Sequence, residues 1–311
     1  ISLAVCMMAG TASLPHVMMR YFTTPSVRTA RRSVGWSLFF IFLLYSSAPM
    51  LATLSKISLM DPNLATGIIG KSITEVQALD WYQNWNQAKL MFVSDFNGNG
   101  TLELNEFFMK GSAVVLATPE IAGLPYVISG LVAAGGMAAA MSTADGLVLA
   151  ISNALSHDVY YKIINPKAET AKRLIVARVL LVLIGFAGAT IAALEIQGIL
   201  GSVIWAFDFA MSGLFFPLVL GVWWKRANAP GAVAGMLLGL ISGTAYLVWV
   251  RSGGSGFLGI TQLTFGIVGA SVSLVSMIVV SLITAAPDAA TQKMVDDVRV
   301  PSGKTILGKQ H

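Results

Sequence analysis

Seven apolar stretches, each long enough to cross a bilayer, constrain this chain more than any other feature. They fall at 1–19, 33–54, 123–156, 171–194, 198–224, 228–250 and 262–285. A spanning helix needs about 20 mostly apolar residues. In hydrocarbon every backbone amide and carbonyl must find a partner inside the structure, and runs of this length do so as helices rather than as barrel strands. The composition agrees, with 55% hydrophobic and only 11% charged residues, a balance foreign to soluble domains. The expected class is an all-α polytopic membrane protein with about seven transmembrane helices. The run 123–156 has length to spare for an extension or a break.

Basic residues orient the spans. Arg20, Arg28, Arg31 and Arg32 follow the first run, Lys162, Lys167, Lys172 and Arg173 follow the third, and Lys225 and Arg226 follow the fifth. These loops alternate with the acid-rich segment 55–122, the Glu195 turn and the glycine-rich turn 251–260. The consistent topology puts the basic loops and the C-terminus in the cytoplasm and 55–122 outside, in a cell membrane such as a bacterial inner membrane. The net charge of +5 then reports topology, and no nucleic-acid partner is expected. The chain starts at Ile1 inside an apolar run with no basic region before it, which reads as the C-terminal part of a longer polytopic protein. Cys6, the single cysteine, has no partner for an intramolecular disulfide and reads as a packing residue. Residues 286–311 mix Asp, Lys, Gly and Pro without an apolar period and read as a flexible cytoplasmic tail.

Polar groups inside spans are costly, so each one raises a functional question. In "MAGTASLPHVMMR", residues 8–20, Gly10, Thr11, Ser13, Pro15 and His16 interrupt an apolar helix. Pro15 cannot donate a helical hydrogen bond. Two readings are open: a broken helix whose bared backbone binds a solute, or a proline kink between packed helices. In 133–161, a nearly pure Gly/Ala stretch that admits a close neighbour runs into Ser142, Thr143 and Asp145, then Ser152 and Asn153. Their oxygens suit a hard monovalent cation; alternatively the hydroxyls bond back to their own helix. Asp208, in "IWAFDFAMSG", either lines a pathway or sits where water reaches it from the outer half. His157 and Asp158 sit at a helix end, where a histidine meets the helix dipole.

The outer segment carries "DFNGNGTLELNE", 95–106, which has the D-x-N-x-N-G-x5-E spacing of an EF-hand calcium loop. The ligand positions would be Asp95, Asn97, Asn99, Thr101 through its carbonyl, Glu103 and Glu106. Gly100 takes the sharp turn and Leu102 the apolar position, and helices are expected on both sides. The alternative is an Asx-rich turn that takes no metal. A loop as long as 55–122 needs structure of its own, so a calcium clip fits better than a regulatory gate. No metal triad, nucleophile elbow or phosphate loop points to an enzyme.

The stretch "GVWWKRANAPGAVAGMLLGLI", 221–241, resembles the second signature of the sodium:solute symporter family, matching in spacing at Gly221, Val222, Arg226, Gly231, Ala232, Gly235 and Gly239. "GTASLPHVMMRYFTTPSVRTARRSV" and "MSTADGLVLAISNALSHDVYYK" resemble the acetate-permease branch of that family. The likeness covers nearly all of 1–285 outside about 60–115. It implies a LeuT-type fold of two inverted five-helix repeats, of which this chain would hold the second plus two peripheral helices. It implies a coupling sodium ion at the Ala139 carbonyl and the Ser142 and Thr143 hydroxyls, a second cation or proton at Asp145, and solute contacts at Gly10, Thr11 and Ser13. The function implied is sodium-coupled symport of a small organic solute, most of all a monocarboxylate such as acetate, by alternating access. A small accessory membrane subunit belongs to the same expectation. The competing reading is a membrane sensor of calcium or solute built on a symporter-like domain.

Overall fold

The computed structural model describes residues 1–194 and 196–299. Glu195, the acid of the expected outer turn, and residues 300–311 of the expected tail lie outside the described residues. The chain is mostly helical and divides into two compact units, Ile1–Arg31 with Asp145–His311, and Arg32–Ala144.

The first unit opens with α1 (Ser2–Ser13) and the short α2 (Pro15–Met19). Leu14 between them is extended, at φ −69° and ψ 119°, because the residue before a proline is pushed out of the helical region. The first expected span is therefore two helical pieces around a break rather than one rod. Among the described residues six helices are long and apolar enough to cross a membrane. The expected seventh is this broken pair, whose longer piece has 12 residues.

The second unit takes up α3 (Val27–Met60) from Arg32 onward, and this helix holds Pro49 in its interior. Then come α4 (Ile73–Gln77), α5 (Asp80–Gln87), the strand β1 (Met91–Val93), the strand β2 (Phe107–Met109) and α6 (Val114–Ile121). The two strands pair antiparallel, with Phe92 opposite Phe108. The outer segment thus has a core of its own. Leu59, Ile68, Val76, Tyr82, Met91 and Leu102 are buried together, and Trp85 donates to Glu120 Oε2 at 2.8 Å.

Next, α7 (Tyr126–Asn153) crosses the boundary between the units and continues as a wide-turned π-helical stretch, Ala154–Ile164. The helix α8 (Thr170–Ala193) follows, then α9 (Ile199–Ala210), a π turn at Met211–Phe215 and α10 (Phe216–Trp223). Pro217, in the first turn of α10, has no amide to offer the preceding turn, and the ladder widens just before it.

The tightest packing lies between α11 (Ala229–Arg251) and α12 (Gly266–Ile283). Gly231, Gly235, Gly239 and Gly243 form one buried face of α11, and Gly269, Ser273, Met277 and Ser281 are buried on α12. A side chain on Gly235 would meet Met277 Cβ at 3.0 Å, and one on Gly239 would meet Ser273 Cβ at 2.8 Å. In lipid there is little hydrophobic gain between helices, so such close approach of small residues supplies the attraction. Asn228 caps α11 by accepting from the Gly231 amide at 2.9 Å. Its own amide donates to Thr284 Oγ1 at 2.7 Å and to the Ala285 carbonyl at 2.8 Å.

Residues 289–299 differ from the expected flexible tail. They form α13 (Ala289–Arg299), docked on the end of α10. Arg299 donates to the carbonyls of Val222 at 3.0 Å and Trp223 at 2.7 Å, and Lys225 pairs with Asp296 at 2.7 Å.

Candidate functional site

The residues read as sodium ligands lie on a single turn of α7. Ala139, Ser142 and Thr143 are all exposed in this chain. The Thr143 hydroxyl donates to the Ala139 carbonyl at 3.3 Å, so two of the three oxygens are already side by side. The back-bonding considered for these hydroxyls is thus the arrangement Thr143 adopts here. Asp145, further along the same helix, is also exposed.

The three solute candidates occupy the end of α1 before the break, and their environments differ. Gly10 is buried, and any Cβ there would come within 2.6 Å of Phe207 Cβ and of the Phe207 carbonyl. Its place in the fold is the close crossing of α1 on α9. Ser13 is buried and donates to the carbonyls of Ala9 at 2.8 Å and Gly10 at 3.0 Å. Thr11 alone is exposed, with its hydroxyl turned to the Met7 carbonyl at 2.6 Å. Beyond the break, α2 runs beside α7. A Cβ on Gly146 would lie 3.8 Å from His16 Cβ and 3.6 Å from Arg20 Nη2.

One cavity escaped the sequence reading. Pro15 and Met19 of α2, Asn153, Ser156, His157 and Asp158 at the α7 end, and Thr170 and Arg173 of α8 line an open cavity of about 640 Å³. His157 and Asp158 do not close a helix, as expected from sequence. They lie within the π-helical stretch, where Asp158 accepts from Lys162 at 3.1 Å and contacts His157 Nδ1 at 3.1 Å. The signal was present as a cluster of polar residues across two runs, but only the fold brings α2, α7 and α8 together.

Asp208, read from sequence as lining a pathway or reached by water, is fully buried in this chain. Packing by α1 and α12 around α9 closes it off.

The loop 95–106 closes on its own amides. Asp95 accepts from Gly98 at 2.7 Å and Gly100 at 3.1 Å, and buried Glu106 accepts from Phe96 and Glu103, each at 3.0 Å. Asn97 and Asn99 donate their side-chain amides to Glu103 at 3.0 and 3.1 Å. Gly98 and Gly100 take the left-handed backbone the turn requires, at φ +70° and +72°. The immediate flanks are strands β1 and β2, not the expected helices. The register between Met91 and Met109 closes the loop as a hairpin. Among the described residues no group of three or more His, Cys, Asp or Glu side chains is placed to hold a metal ion.

Residues 110–239 match the family model described as the sodium:solute symporter family. An uncharacterized symporter of Cupriavidus necator is 41% identical over 292 residues, which cover 91% of this chain and 42% of that protein. The chain belongs to the sodium:solute symporter family. A monocarboxylic acid transporter of Corynebacterium glutamicum is 28% identical over 244 residues, covering 78% of this chain and 37% of that protein. The chain therefore spans about two fifths of the curated relatives it matches. Family membership makes this a multi-pass membrane protein of a solute transporter family. The family match takes in the whole Ala139–Asp145 turn and most of the glycine face of α11.

Proposed function

We propose that the protein carrying these residues is a sodium-coupled symporter for a small monocarboxylate such as acetate, working by alternating access on a LeuT-type scaffold. The observation that carries this reading is the turn of α7 that presents the Ala139 carbonyl and the Ser142 and Thr143 hydroxyls on an open face. A first-repeat helix would complete their coordination. Sodium bound there would hold two helices together and favour the outward-facing state. The solute would bind beside the α1–α2 break, with Thr11 as the exposed contact, and Asp145 would take a second cation or a proton. The likeness to a monocarboxylic acid transporter supports the solute class.

The basic loops and the C-terminus face the cytoplasm in this reading, and 55–122 faces outside. The 95–106 loop is a structural clip there. Calcium at Asp95, Asn97, Asn99, Thr101, Glu103 and Glu106 would reinforce it after drawing Glu103 away from the asparagine amides. The test is uptake of labelled acetate by the full-length protein in proteoliposomes, with an inward sodium gradient and then with potassium in its place. Accumulation that needs sodium supports the proposal. Accumulation unchanged by the exchange overturns sodium coupling, and uptake of other solutes but not acetate overturns the solute class.

A further inference from the structure

Asp208 is a carboxylate in the middle of a span with no surface left to water. Its enclosure is complete within this chain's own residues, unlike the exposed turn of α7. From α1 comes Cys6, also fully buried. From α12 come the amides of Phe265 and Gly266 at the helix start, and a Cβ on Gly266 would lie 2.9 Å from Asp208 Oδ1. Neither carboxylate oxygen makes a well-formed hydrogen bond.

Three states of this group can be compared. A bare carboxylate loses its hydration and has only the Cys6 thiol and the Phe265 and Gly266 amides near it, none in good hydrogen-bond geometry, which is a costly arrangement for a buried charge. The start of α12 would favour an anion, but an anion held there accepts hydrogen bonds from those amides, and Asp208 accepts none of good geometry. A sodium ion needs a shell of oxygens. Ser212, one turn on, donates instead to the Asp208 carbonyl at 2.7 Å, and Ser13 is turned to its own helix. A neutral carboxyl needs neither a counter-charge nor a shell.

No nearby group can supply the counter-charge. Among the described residues, Cys6 is the one titratable side chain of α1, and the π turn and α12 bring none. Tyr246 of α11 donates to the Ile260 carbonyl at 2.9 Å, and Arg251 lies over the Trp205 ring at 5.1 Å.

We infer that Asp208 is a proton-binding site: the carboxyl holds its proton while α1, α9 and α12 are packed together and passes it to water when that packing opens. The site is separate from the α7 turn, and the inference requires neither the solute nor the ion proposed above.

The test is infrared spectroscopy of the purified full-length protein with the Asp208→Asn variant, an uncharged isostere of the protonated acid. At neutral pH the wild type should show a protonated-carboxyl band, slow to shift in heavy water, that the variant lacks. The variant should elute and melt as the wild type does. An identical carboxyl spectrum in the variant overturns the inference. So does failure of the variant to fold, since a neutral isostere fits the place of a neutral acid. In vesicles, uptake should depend on pH in the wild type and lose that dependence in the variant. If no tested solute is transported, the proposed function fails, and the infrared result still decides the proton site.

Discussion

At the scale of single residues, what decides a position's role in this chain is how near the neighbouring backbone comes. Gly239 shows it best: α12 is so close that a Cβ would press on Ser273 and on the Ser212 carbonyl. Overpacking a tight contact costs about 1–3 kcal/mol, so Gly239→Leu should lower the thermal midpoint of the purified protein clearly. Gly185→Leu is the control. Gly185 also lies in a membrane helix, but has open space where its Cβ would be, and its midpoint should stay within a degree or so of the wild type. The glycine face was legible in sequence, because Gly231, Gly235 and Gly239 keep a four-residue spacing within a family signature. The enclosure of Asp208 was not legible. A sequence shows an acid in an apolar run, whereas its contacts come from Cys6 and Gly266, about 200 and 58 positions away along the chain. Gly10 failed to be legible for the same reason, since the Phe207 backbone that excludes a side chain there lies on another helix.

At the scale of elements, the long helices could be read and the short ones could not. A span announces itself by 20 apolar residues, but α13 has 11 residues and buries little beyond Val295. Its order comes from neighbours: Arg299 on the last carbonyls of α10, Lys225 on Asp296, and Asp288 at its start. The Thr291 hydroxyl and amide hold the Asp288 carboxyl below the usual aspartate range. A depressed carboxyl contributes stability above its unfolded pKa and loses it as pH falls through its folded value. Limited proteolysis should therefore begin to cut the 289–299 helix below about pH 4, the ordinary aspartate range. Asp288→Asn should remove most of that pH response. The 95–106 hairpin was half legible. Its turn residues were found, while the strands beside it, three residues each, are too short to show alternation. Glu106 ties Phe96 to Glu103 across the loop, so Glu106→Gln should make the outer segment more sensitive to protease. If calcium reinforces the clip, added calcium should protect the wild type and not the variant.

At the scale of the whole molecule, the chain divides its polar groups by how much of their environment it supplies itself. The α11–α12 contact and Asp208 are enclosed by described residues, and the outer hairpin, though largely exposed, closes on its own amides. The α7 turn is exposed in this chain, with the Thr143 hydroxyl bonded back to the Ala139 carbonyl, and in the proposed reading a first-repeat helix and a sodium ion would complete it. That contrast generates the prediction that bears most directly on transport. Thr143→Ala removes one hydroxyl from the proposed sodium shell and breaks the 3.3 Å bond to Ala139. It disturbs no packing among the described residues, where Thr143 is exposed. In full-length protein in proteoliposomes, the variant should need at least several-fold more sodium for half-maximal uptake while keeping the wild-type order of preference among carboxylates. Thr11→Ala should do the reverse, weakening solute affinity at saturating sodium with the sodium curve unmoved. An unchanged sodium curve for Thr143→Ala would mean that the α7 turn is structural and that coupling lies elsewhere. In that case Asp145, on the same helix and equally exposed, is the next residue to substitute, with uptake followed against both sodium and pH.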